Sequence, residues 1–329
     1  MHGAADTPTA LTEALAQGTQ PVVLPGLVAH WPLVQAGLQS PQALVAYLRG
    51  FYRDATVDVW RGAPDIQGRF FYTPALDGFN FAASRQRLDA VLDALLQHLA
   101  DPQPPALYVG STTVDTCLPG LRAANPLDLG GRDALTSLWL GNRSRIAAHQ
   151  DLPDNLVCVA AGRRRFTLFP PDQVGNLYIG PIDRTPAGQP ISLVDFAQPD
   201  LVRFPHFAQA LAAATVVDLE PGDALYIPSL WWHHVEALAP LNLLVNHWWR
   251  DTPGHMDSPM NALMHALLSV RDLPPAQRQA WAALFHHYVF DADADTAAHI
   301  PPAARGLLAP LAPDTARMLR AQLLRKLNR

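Results

Sequence analysis

Lysine is nearly missing from this chain: Lys326 is the only one, and the other 23 of the 24 basic residues are arginine. The arginines do not outweigh the acids. Net charge is −5, and the one tight basic run is Arg163, Arg164 and Arg165, so the chain has no general attraction for phosphate backbones and nucleic acid is not an expected partner. Cysteine is scarce too. Cys117 and Cys158 lie 41 positions apart with no CxxC pair, which excludes a zinc knuckle and a disulfide framework and fits a reducing cytoplasm. Long apolar runs are also lacking. Ala14 to Leu48 carries no charge, but Pro21, Pro25, Pro32 and Pro41 interrupt it too often for a membrane helix, and it reads as buried loop and short strand. The first ten residues have neither the basic start nor the apolar core of a signal peptide. No nucleophile-elbow motif is present, which argues against a serine hydrolase.

What is present is a globular composition, 49% hydrophobic and 16% charged, able to bury a large core. Residues 9–18 read as a helix and PVVLPGL as a strand, and Ser40 with Pro41 caps a helix ending near Gly50. TVDVW (56–60) and GRFFY (68–72) suit strands, and Ser84–Ala100 has helical spacing with Leu88, Val91, Leu92, Leu95 and Leu96 on one stripe. From Ala106 to about Arg250 the grammar changes. Eight short β-type segments follow, among them ALYVG, SLWLGN, LVCVA, RFTLF and LNLLVNHWW, separated by Gly, Pro and Asp; they point to a barrel or jelly roll. After Pro253, helices are expected over 259–271, 274–290 and 302–327, with Leu263, Leu267, Trp281, Leu284 and Phe285 available for packing. The fold class is therefore mainly β with flanking helices. Its expected parts are a mixed α/β segment (1–105), a jelly-roll core (106–250) and a helical segment (251–329).

Inside that core the stretch AAHQDLPDN places His149 and Asp151 two positions apart. With 13 histidines and 29 acids in 329 residues, chance alone supplies about one such pair, and a second, His255 with Asp257, falls where a helix begins and is set aside. The first pair lies in strand-like sequence. Residues i and i+2 of a strand share a face about 6.6 Å apart, so an imidazole and a carboxylate can converge on one ion. A third ligand is available in PGDALYIPSLWWHHVEAL, where alternation allows one of His233 and His234 to point inward. Two histidines and a carboxylate with open positions make the facial triad of non-haem Fe(II) oxygenases; the rival is a pair of polar histidines at strand ends.

Read together, SLWLGNRSRIAAHQD, LVCVAAGRRRFTLFPPDQ, LEPGDALYIPSLWWHHVEAL and LLVNHWW resemble the JmjC/cupin-8 family of Fe(II)- and 2-oxoglutarate-dependent oxygenases, its asparaginyl hydroxylases and bacterial cupin-like members in particular. The matches run in order through 106–250. The resemblance implies a double-stranded β-helix in which His149, Asp151 and His233 are catalytic metal ligands for Fe(II) and His234 is the outward neighbour. It places the anchor for the distal carboxylate of 2-oxoglutarate at Arg164, where the hydroxylases carry lysine. A guanidinium can pair with that carboxylate bidentately, although it is longer and planar. Tyr108, Asn155 and Asn246 match positions that bind or flank the cosubstrate, and Trp248 a position near the substrate. Tyr72 is a candidate for the same mouth. Ile146 departs from the pattern, standing where the hydroxylases have a threonine hydroxyl.

The implied activity is hydroxylation of a protein side chain or small molecule, with succinate and carbon dioxide as coproducts. The alternative is a cupin that holds Zn or Mn as a structural or ligand-binding module without oxygenase activity. A cytoplasmic homodimer joined through the C-terminal helices is expected, with no membrane association.

Overall fold

The computed structural model of the chain describes residues 7–328. Its strands are β1 (Val22–Leu24), β2 (Thr56–Gly62), β3 (Arg69–Phe70), β4 (Phe81–Arg87), β5 (Ala106–Thr113), β6 (Leu135–Gly141), β7 (Ser144–His149), β8 (Asp154–Ala161), β9 (Arg164–Phe169), β10 (Thr215–Leu219), β11 (Ala224–Ile227), β12 (Trp232–Ala237) and β13 (Asn242–Trp249). The helices are α1 (Thr7–Gln17), α2 (Pro32–Gln39), α3 (Pro41–Phe51), α4 (Leu88–Gln97), α5 (Val114–Cys117), α6 (Leu121–Ala124), α7 (Phe207–Ala213), α8 (Pro259–Ser269), α9 (Pro275–Phe285) and α10 (Pro313–Leu327). Residues up to Arg250 form one compact unit, and Asp251–Arg329 a second.

The first unit is a jelly roll of two sheets. The larger runs β1-β11-β8-β13-β6-β5-β2-β4 and the smaller β10-β9-β12-β7-β3. All neighbours are antiparallel except β3 with β7. Alternation divides the side chains of β8: Val157 and Val159 face the smaller sheet with Phe166 and Leu168, while Leu156, Cys158 and Ala160 join the core under the N-terminal helices. Both faces of the large sheet are thus covered, which is why its central strands read as nearly continuous apolar sequence. The Ser40 hydroxyl accepts a hydrogen bond from the Ala43 amide to cap α3, and α3 buries Leu44, Val45 and Leu48. The stripe Leu88, Val91, Leu92 and Leu95 of α4 is buried in the same core; each such side chain contributes roughly 1.5–3 kcal/mol.

Several expected boundaries move. Ser84–Arg87 is strand, because β4 pairs with β2 over its full length, from Thr56↔Arg87 to Gly62↔Phe81; tertiary pairing overrides the helical spacing there, and the helix starts at Leu88. Pro32–Gln39, read as loop, is a helix with proline at its first position, where the missing N–H costs nothing. GRFFY yields only the two-residue β3, and β7 was absent from the eight strand-like segments. The strands β1, β2 and β4 of residues 1–105 hydrogen-bond directly into the large sheet and extend it.

In the second unit, the helix expected over 302–327 is confined to Pro313–Leu327, after 3-10 turns at Pro302–Ala304 and Gly306–Leu308. Prolines 310 and 313 break the earlier stretch. After α9 the chain widens into a π-type turn, His286–Phe290. Leu263, Leu268, Trp281, Leu284 and Phe290 are exposed. Among the described residues no helix is long and apolar enough to cross a membrane.

Candidate active site

Cross-strand register brings the first two ligands together. In the β7–β12 pair His149 lies directly opposite His233, and their ring centroids are 4.3 Å apart. Asp151 does not share a strand face with His149 as the spacing suggested. The strand ends at His149, and Asp151 lies in the turn beyond it, its carbonyl accepting a hydrogen bond from the Leu230 amide in the turn that leads to β12. The carboxylate nevertheless reaches the site: Oδ2 of Asp151 is 3.6 Å from Nε2 of His233, and one ligand atom from each of the three residues lies within 4.8 Å of the others.

Both imidazoles are oriented by main chain. Nδ1 of His149 is 2.9 Å from the Ala147 carbonyl, and Nδ1 of His233 is 3.0 Å from the Trp231 carbonyl. A carbonyl can only accept, so each Nδ1 carries the proton and each Nε2 presents its lone pair. Burial, and then the neighbouring His149, holds His233 below the ordinary histidine pKa, against the opposing pull of Asp151. The histidine is therefore neutral at pH 7, the form that binds a metal. His234 points away to the opposite face and packs on Phe196 at 4.4 Å.

A cavity of about 50 Å³ is lined by the triad and by residues of both sheets. The structure brings Arg164, Tyr108, Asn155, Asn246 and Trp248 to its walls, with Ile146 beside them. Arg164 is the electrostatic centre of this space. It is buried, its Nε has no hydrogen-bond partner, and among the described residues its side chain makes one hydrogen bond, a long one of 3.4 Å to the Trp139 carbonyl. Among the described residues no carboxylate pairs with it. Burial lowers its pKa to about 10, so it remains a cation at neutral pH. Tyr108 lies close enough to be felt by it, and burial pushes the phenol pKa well up, leaving a neutral hydroxyl donor beside the guanidinium. A neutral donor next to an unpaired buried cation fits an anionic ligand that carries a carboxylate.

The remaining polar groups are locked. Asn246 accepts from Trp139 Nε1 at 2.8 Å and donates to Asn155 Oδ1 at 3.3 Å, while Trp248 Nε1 is buried with no partner. Trp139 is the residue that sequence reasoning missed. Its inward orientation follows from pairing with Leu244 of β13, a register that no local pattern states. Tyr72 is not among the cavity residues. Its hydroxyl donates instead to the Arg184 carbonyl at 2.5 Å. His255 and Asp257 lie in the second unit and are not in the triad cluster, and His255 Nε2 meets the Leu311 carbonyl.

Outside the triad the cavity opens into a vestibule of about 420 Å³, whose walls include Asp58, Trp60, Gly110, Trp139, Trp248 and the segment Pro186–Ile191. A Cβ at Gly110 would stand 3.0–3.1 Å from the rings of Tyr108 and Trp139, so glycine keeps this floor flat.

Sheet architecture and side-chain cluster together define a cupin-type jelly roll in which two histidines and a carboxylate could hold a metal ion. The cupin-like domain family matches residues 8–255, and the chain belongs to that family, whose JmjC members are of the Fe(II)/2-oxoglutarate oxygenase type. The chain is 32% identical over 150 residues to HSPB1-associated protein 1 of Homo sapiens, covering 44% of this chain and 30% of that one. It is 28% identical over 241 residues to lysine-specific demethylase 8 of Xenopus tropicalis, covering 70% and 48%. With tRNA wybutosine-synthesizing protein 5 of Danio rerio it shares 35% identity over 105 residues, 32% and 29% of the two chains. The alignments thus span less than half the length of each of these relatives.

Proposed function

We propose that this chain is an Fe(II)- and 2-oxoglutarate-dependent oxygenase that hydroxylates a protein side chain or a small molecule and releases succinate and carbon dioxide. The observation that carries the reading is Arg164, a buried guanidinium with no counter-ion among the described residues, lining the same cavity as the triad. A cupin using its metal only for structure has no need of such a group, since an unpaired buried cation destabilises the fold that holds it.

In this reading Nε2 of His149, Nε2 of His233 and a carboxylate oxygen of Asp151 hold the metal. Fe(II) bound there supplies the redox chemistry that couples decarboxylation of 2-oxoglutarate to insertion of oxygen into a C–H bond. Arg164 and the Tyr108 hydroxyl bind the distal carboxylate. Asn155 and Asn246, fixed to each other and to Trp139, line the cavity beside it. Ile146, Val157, Phe166 and Leu244 exclude water around the cosubstrate, and the unpartnered Trp248 Nε1 offers one donor in the wall that cavity and vestibule share. A relative named for lysine demethylation is compatible with the same chemistry, because hydroxylating an N-methyl group leads to its loss.

The test is succinate release from the Fe(II)-loaded chain, screened with peptides and small molecules. Release stimulated by a substrate and abolished in Asp151→Ala is the expected result. A folded, metal-loaded chain whose thermal stability ignores 2-oxoglutarate and which never forms succinate would instead be the non-oxygenase cupin. The exposed apolar side chains of the second unit support a homodimer, and the two buried free thiols suit a reducing cytoplasm.

A further inference from the structure

We infer that residues 181–190 form a flap over the vestibule that must lift to admit substrate, and that Tyr72 latches it shut. The word substrate here rests on the oxygenase reading; the flap and its latch stand on geometry alone.

The segment hangs from a short stem. The chain leaves through Tyr178–Gly180 and returns through Ile191–Leu193, joined by Gly180 N–H to the Ile191 carbonyl (2.9 Å) and Leu193 N–H to the Tyr178 carbonyl (3.0 Å). The stem is fastened next to the metal centre: Ser192 N–H donates to the Ala148 carbonyl at 2.8 Å, one residue before the ligand His149, and the buried Ser192 hydroxyl donates to the Leu177 carbonyl. Between the two arms the sequence is PIDRTPAGQP. Three prolines remove donors, and Gly188 sits at φ +92, so this stretch cannot continue as a ladder. Pro186, Ala187 and Gln189 help to wall the vestibule.

The far side of the flap is held by two hydrogen bonds. The Tyr72 hydroxyl donates to the Arg184 carbonyl at 2.5 Å, and Arg184 Nη1 donates to the Asp77 carbonyl at 2.9 Å. Among the described residues no other hydrogen bond ties 181–190 to the barrel. The two anchors differ in kind. Arg184 is exposed, while Tyr72 is 3% exposed and fixed by its bridge and ring contact with Phe79. A buried hydroxyl thus clamps the carbonyl of a loop held by only two hydrogen bonds among the described residues, an arrangement that opens locally at small cost while the barrel stays folded. Tyr72 is in this account a positioning residue that sets access.

Trypsin offers a direct readout, because the Arg184–Thr185 bond lies in the flap and cleavage requires the loop to lift. In the full native chain, Tyr72→Phe removes one hydrogen bond and should speed cleavage at this bond roughly two- to tenfold. Cleavage after the exposed Arg85 and Arg203, followed by mass spectrometry in the same digest, should keep its wild-type rate, and the thermal midpoint should hardly move. Equal cleavage rates at Arg184 in wild type and Tyr72→Phe, with both folded, would overturn the latch. So would a rise of the same size at all three sites, which would report general loosening. Failure of the oxygenase reading is separable: it would show as no optical response to Fe(II) and 2-oxoglutarate and leave the cleavage pattern untouched.

Discussion

Arg164 destabilises the barrel that contains it, and the first prediction follows. Replacing it with methionine fills the same space without a charge, so the ligand-free Arg164→Met chain should melt a few degrees above wild type. The same variant should lose the stabilisation that 2-oxoglutarate gives the Fe(II)-loaded chain, about 2.7 kcal/mol at a hundredfold excess over Kd; differential scanning fluorimetry checks both. Histidine supplies a second prediction. Burial, reinforced by Arg122, lowers His247 to about 4, and its Nε2 has no partner. The unfolded chain takes up this proton near pH 6.5, before the folded chain does, so stability is full above that pH and declines as pH falls toward about 4. The His247→Gln variant should show a flatter loss of thermal midpoint between those limits. An unchanged slope would remove His247 from the account. At this scale the sequence was informative wherever a side chain's face followed from alternation, as for Arg164 beside Phe166 and His233 beside Val235. It was silent on Trp139 and misleading on Tyr72, because their roles depend on which distant segment lies opposite.

Elements place these residues, and the hairpin between β8 and β9 is the sensitive one. Gly162 has φ +71, and a Cβ there would come 2.3 Å from Asn242 Oδ1 and 2.7 Å from the Leu241 carbonyl. Asn242 is itself bonded to both the amide and the carbonyl of Ala239, so it cannot yield freely. Gly162→Ala should therefore cost 2 kcal/mol or more, about 1–2 from the left-handed backbone and the rest from the clash, and should weaken 2-oxoglutarate binding by shifting Arg164 two residues on. Thermal melts and a binding titration test it; wild-type values in both would contradict it. Most strands were legible because Gly, Pro and Asp punctuate short β-branched and aromatic runs. Two kinds of information were not. The pairing of β4 with β2 is long-range and defeated a helical stripe, and the end of β7 at His149 made Asp151 a turn residue whose position depends on Leu230.

At the scale of the whole molecule, an apolar stripe at 263–285 was readable as spacing, and in the structure Leu263, Trp281 and Leu284 of that stripe are exposed, with Leu268 and Phe290 alongside. Exposed apolar area of this kind is covered by a partner in a homodimer reading. Light scattering at micromolar concentration should give twice the 35.8 kDa chain mass, and Trp281→Asp with Leu268→Asp should return it to the monomer. A monomeric wild type would end that proposal and leave the metal centre untouched. In the proposed oxygenase, three side chains from two strands and a turn hold one ferrous ion, and Arg164 receives the cosubstrate. Adding Fe(II) and 2-oxoglutarate to the chain without oxygen tests this most directly. The expected result is a visible metal-to-ligand charge-transfer band that is absent in His149→Ala and much weakened in Arg164→Met; folded wild-type protein that binds Fe(II) and gives no band would overturn the proposed oxygenase.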